Sequence, residues 1–179
     1  MKLDPSQRLY AIVAIISLIV IVVTTSYGIV MSIIHGVEVV GQTFVDVEFP
    51  PIHIFPIFYM KPVTWLSSAI LLFAYSILEL SKNRIIQATK VERNFAKILA
   101  FIVGSLAGYE VLFNFTLWSG LIAAESLTGI LNPDLIINPF PNTKIPWNIN
   151  FASKMYFSLV IVTAYFFITV SRIERHEHI

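Results

Sequence analysis

The stretch 104-GSLAGYEVLFNF-115 sets a carboxylic acid, Glu110, and an amide, Asn114, four residues apart in a run that is otherwise apolar. At that spacing two side chains share one face of a helix. An acid inside such a run has three chemical uses: it can take up and release a proton or cation, hold a polar substrate, or exchange hydrogen bonds with a neighbouring helix and so fix its register. The next chemistry-bearing groups are four histidines, His35, His53, His176 and His178. His35 and Glu38 stand three apart, and with His53, Asp46 and Glu48 they offer the nitrogen and oxygen donors that zinc or copper takes. The 174-ERHEH-178 stretch reads as a solvated end, and neither His35 nor His53 lies deep enough in a span to clamp a haem. Cysteine is absent, which excludes disulfides, thiolate catalysis, iron–sulfur ligation and cysteine-bearing zinc sites. The chain also lacks a Gly-rich phosphate loop, a Ser–His–Asp arrangement and a paired-carboxylate signature. No catalytic residue is assigned from these patterns, and no cofactor is required by them.

The elements that must position Glu110 follow from composition. Of 179 residues, 56% are hydrophobic and 13% charged, and the apolar residues fall in long blocks without strand or helix periodicity. Crossing a hydrocarbon layer about 30 Å thick takes ~20 apolar residues in a helix. Four segments qualify, at roughly 9–34, 62–81, 95–122 and 151–171. The first is longer than a signal-peptide core and is not followed by a small-residue cleavage site. The expected fold is therefore an all-α integral membrane protein, a four-transmembrane-helix bundle forming a single membrane domain over residues 1–179.

Counted from Lys97 at ~1.5 Å per residue, Glu110 lies ~20 Å along the third span, with Asn114 one turn further. Thr24 and Thr25 on the first span, Ser67 and Ser68 on the second, and Lys154, Tyr156 and Ser158 on the fourth fall at similar depth. A polar layer is expected there, with Lys154, Tyr156, Thr24 and Thr25 as partners of Glu110, because lipid offers a carboxylate no hydrogen bonds. The layer does not continue through the membrane, which argues against a simple channel. Gly104 and Gly108 form a Gly-x-x-x-Gly strip that lets another backbone approach, so the third span is expected at the centre of the packing. Glu79, one turn from Lys82, reads as an interfacial residue.

Nine of the twelve Lys and Arg residues lie before the first span, in the 82–97 connection that runs into the start of the third, or after the fourth. By the positive-inside rule both termini are cytoplasmic in a multi-pass protein of the cell membrane. The basic residues suit topology and lipid headgroups, and a net charge of +1 does not suggest nucleic-acid binding. The two outer connections, 35–62 and 123–150, mix Pro with Phe, Ile, Tyr and Trp, a composition for ordered caps and not for flexible linkers. A short strand is expected at 43-TFVDVEF-49 from its alternation. Abundant Ile fits a low-GC or heat-adapted source, archaea among them.

The run 62-PVTWLSSAILLFAY-75, followed by 82-KNR-84 and later by 139-PFPNTKIP-146, is similar to a helix-and-loop stretch in the membrane A subunits of archaeal ammonia monooxygenases. The resemblance covers about a tenth of the chain, and the His and Asp metal ligands of copper monooxygenases have no counterpart that can be placed here. Three functions follow as expectations. The first is a non-catalytic structural or assembly subunit of a larger membrane complex, of the energy-metabolism oxidoreductase kind, whose partners are lipids and other membrane subunits. The second is a small proton- or cation-coupled transporter using Glu110. The third is a membrane metalloenzyme, or a subunit of a copper membrane monooxygenase, with His35, Glu38 and His53 as outer-loop ligands.

Overall fold

The computed structural model describes residues 4–36, 41–46, 61–129 and 148–176. Four helices are long and apolar enough to cross a membrane: α1 (Pro5–His35), α3 (Pro62–Gln87), α4 (Lys90–Thr128) and α5 (Ile149–His176). They contain the four apolar segments and run beyond them. A single helical turn, α2 (Gln42–Asp46), lies between α1 and α3, and there are no strands among the described residues.

Local signals set the helix ends. Pro5 and Pro62 open α1 and α3 at positions where a missing N–H is harmless. Thr89 caps α4 in a reciprocal pair: its backbone N–H donates to Glu92 Oε2 at 2.7 Å, and its Oγ1 accepts from the Glu92 N–H at 3.3 Å. Gly36, with φ at 61°, and Gly129, with φ at 74°, close α1 and α4 in the left-handed region that side chains avoid.

The helices pack in the order α1, α3, α5, α4. Although only two residues separate α3 from α4, the two splay apart and α5 lies between them. The third span is thus not the packing centre: α4 stands at an edge and packs on α5, whereas α3 and α5, inside the row, each have long neighbours on both sides. On α4 the buried residues recur at Arg93, Ala100, Ala107 and Asn114. This seven-residue period describes one seam, as in a left-handed helix pair, and α5 is the helix that faces it.

Side-chain polarity is inverted relative to a water-soluble bundle. On α1, Ala14, Ser17, Thr24 and Gly28 are buried, whereas Ile12, Ile15, Ile16, Ile19, Val22 and Val23 are exposed. Small residues inside allow backbones to approach, and large aliphatics outside suit lipid.

The expected strand at 43–49 is corrected over its described part, since Gln42–Asp46 is helical. In a strand Phe44 and Val45 would point to opposite faces. In the helical turn both reach one cluster with Val63, Leu66, Ile70, Phe151 and Met155. Gly41, with φ at 85°, starts the turn. Gly28 makes room for it, because a Cβ there would stand 2.1 Å from the Phe44 ring.

Candidate functional site

Among the described residues, polar groups gather in three places. The first surrounds α2. Ser32 and Thr43 share a hydrogen bond of 2.9 Å between α1 and α2, and Asn148 Nδ2 donates to Gln42 Oε1 at 2.9 Å. Close by, Lys154 Nζ donates to Thr64 Oγ1 at 3.1 Å, tying α5 to α3. Ser158 and Ser67 turn their hydroxyls onto the carbonyls four residues back, Lys154 and Val63. Thr24 is fully buried, and its Oγ1 has no hydrogen-bond partner among the described residues. Thr25 and Tyr156 are half-buried.

The second place is the far part of the α4–α5 seam. Glu110 is half-buried at its margin, and Asn114 is buried at 4% exposure. Among the described residues Glu110 has neither a hydrogen bond nor an ion pair, and the Asn114 Nδ2 has no partner. Lys154, expected beside the acid, bonds to Thr64 instead. The layer therefore divides: Thr64, Lys154 and Ser158 lie on the α3–α5 side, and Glu110 and Asn114 lie on α4. Outside Glu110, Tyr109 and Phe113 stack at 6.1 Å with both rings exposed.

Gly104 and Gly108 differ. A Cβ at Gly104 would stand 2.7 Å from Thr163 Oγ1, whereas one at Gly108 would meet Val160 Cγ2 at an ordinary 4.0 Å. The Thr163 hydroxyl donates back to the Leu159 carbonyl at 2.8 Å, which fixes the oxygen that faces Gly104. The close approach between α4 and α5 is thus centred on Gly104.

The third place is the opposite end of the molecule, and sequence reasoning gave it little weight. Glu174 of α5 pairs with Lys97 of α4 and lies 3.9 Å from the Nε of Arg93. Arg93, 7% exposed, also donates from Nη1 to the Ile86 carbonyl at 3.1 Å, covering an end carbonyl of α3. Glu79 accepts a 2.8 Å bond from the Tyr165 hydroxyl and lies 3.6 Å from Lys82. Tyr75 links this pair to α1, its ring 5.3 Å from that of Tyr165 and 5.8 Å from that of Tyr10. The signals were present, a Tyr and a Glu on different helices and an acid in the ERHEH stretch, but no local spacing connects residues 86 or 77 positions apart.

These contacts place the start of α1, the end of α3, the start of α4 and the end of α5 together. Arg8, Lys82, Arg84, Lys90, Arg93, Lys97, Arg172 and Arg175 belong to that end.

Of the expected metal donors, His35 is exposed at the end of α1. Glu38, Glu48 and His53 lie outside the described residues, as do the side chains of Asp46 and His176. Among the described residues no three His, Asp or Glu side chains converge. Compared with known families, curated proteins and solved structures, the chain matches none.

Proposed function

We propose that this chain is a non-catalytic subunit of a larger membrane complex, with Glu110 serving as a register contact to a neighbouring subunit. The observation that carries the reading is the carboxyl itself: it lies in an apolar helix, half-buried, without a partner among the described residues. A carboxylate left alone in lipid is expelled or neutralised. Asn114 repeats the pattern one turn away with its own unmatched donor. Support also comes from the position of α4 at the edge of the row, where a helix from another chain has room beside the seam.

Native purification from its own membrane, with identification of co-migrating chains, tests this directly. Other subunits are expected at fixed stoichiometry, and a lone monomer or homodimer overturns the proposal. Substitution then separates it from the second reading that the same unpaired acid favours, proton- or cation-coupled transport. Glu110→Gln retains shape and hydrogen bonds, so a register contact survives it, whereas Glu110→Leu weakens assembly by ~1–3 kcal/mol. In a transporter the Gln variant stays assembled and loses coupling.

A further inference from the structure

Between α4 and α5, on the half nearer the basic end, runs a groove of about 380 Å³ lined by Ala100, Phe101, Gly104, Val160, Ala164 and Ile168 among others. It exists because Ala100, Gly104 and Ala164 bring no bulk to the seam. Its α5 wall does not stop at Ile168. Arg172 and Arg175 follow four and seven residues later, spacings that keep them on the same face of the helix. Both are exposed, and neither forms an ion pair among the described residues.

We propose that this groove binds one anionic membrane lipid, with a hydrocarbon chain against Gly104 and Ala164 and the phosphate headgroup on Arg172 and Arg175. Charge complementarity selects the headgroup. Lys90, Arg93, Lys97, Arg172 and Arg175 outnumber the carboxylates of Glu92 and Glu174 at this end. Those two acids are already engaged, Glu174 with Lys97 and Arg93, and Glu92 in the cap on Thr89. Basic pockets between membrane helices are the usual seats of anionic headgroups. Length selects a lipid over a soluble phosphate. From Arg172 to Val160 the helix rises ~18 Å, close to half of a hydrocarbon layer about 30 Å thick. Groove and arginines together thus match one leaflet.

The test is native mass spectrometry of the full chain released from detergent after exchange into phosphatidylglycerol or phosphatidylcholine of identical acyl chains. Phosphatidylglycerol is expected to be retained in preference. Arg172→Gln and Arg175→Gln should each lower that retention by about fivefold and together by more than tenfold, while phosphatidylcholine is unaffected. Ala164→Phe, which fills the groove, should remove both lipids. Because that change touches the seam, Ser105→Phe, reaching the same groove from an exposed position on α4, provides the readout in a protein of unchanged melting temperature. Equal retention of the two lipids, retention indifferent to the paired Arg→Gln change, or undiminished retention of phosphatidylglycerol by Ser105→Phe would each overturn the proposal.

Discussion

At Gly104 the absence of one methyl group sets how closely α4 and α5 approach. Adding it brings carbon to 2.7 Å from the Thr163 hydroxyl, which is itself held by the Leu159 carbonyl. Gly104→Ala should therefore destabilise the helix pair by about 1–2 kcal/mol, the strain of overpacking less the helix propensity gained. Gly108→Ala meets only an ordinary contact and should be neutral or stabilising by up to ~1 kcal/mol. Thermal unfolding in detergent distinguishes the two, and Thr163→Ala in the Gly104→Ala background should restore most of the loss. The Gly-x-x-x-Gly spacing marks both glycines alike, so the sequence could not rank them. Four residues advance a helix by ~40° beyond a full turn. Two glycines so spaced both centre on a neighbour in a right-handed crossing, but along a seven-residue seam such as that of α4 only one of them does, and the choice depends on what stands across the seam.

Elements were legible to different degrees for physical reasons. The long apolar blocks identify the four spans because hydrocarbon demands them whatever the neighbours do. The turn α2 was misread as a strand, since alternation over a few residues is outweighed by one aromatic that finds a cavity. Phe44, 7% exposed, is seated by Gly28, Val63 and Phe151, residues remote in sequence. Phe44→Ala should cost about 3 kcal/mol and release α2, observed as new proteolysis near 41–46, whereas a strand edge would tolerate the change better. At the other end, Glu174 joins α5 to α4 through Lys97 and Arg93. Glu174→Ala leaves two cations at a partly buried junction and should cost about 2 kcal/mol. Glu174→Gln should recover part of it through the retained hydrogen bond, as measured by melting temperature. Glu110 could be found from sequence as an acid in a span; its lack of a partner could not, because that depends on α5 turning Lys154 toward Thr64.

Among the described residues the molecule is a row of helices with most of its basic residues, all but Lys61 and Lys154, at one end, and that asymmetry predicts how it lies in the membrane. Tyr10, Tyr75 and Tyr165 meet at one level, so α1 begins and α5 finishes at the same end. Lys and Arg flanking membrane spans are retained on the cytoplasmic side, so the prediction is that this end faces inward, together with the start of α1 and the end of α5. Two positions on α4 test this in a single helix. Val91 and Leu127 are 78% and 90% exposed and stand 36 residues apart, a rise of ~54 Å that exceeds the ~40–45 Å bilayer with its headgroups. Both positions should clear the membrane, on opposite sides. The natural chain has no cysteine, so Val91→Cys and Leu127→Cys each introduce one thiol with no background. A membrane-impermeant maleimide applied to intact cells should label Leu127→Cys alone, and permeabilisation should add Val91→Cys. The reverse pattern would invert the orientation, and labelling of both in intact cells would show that α4 does not cross.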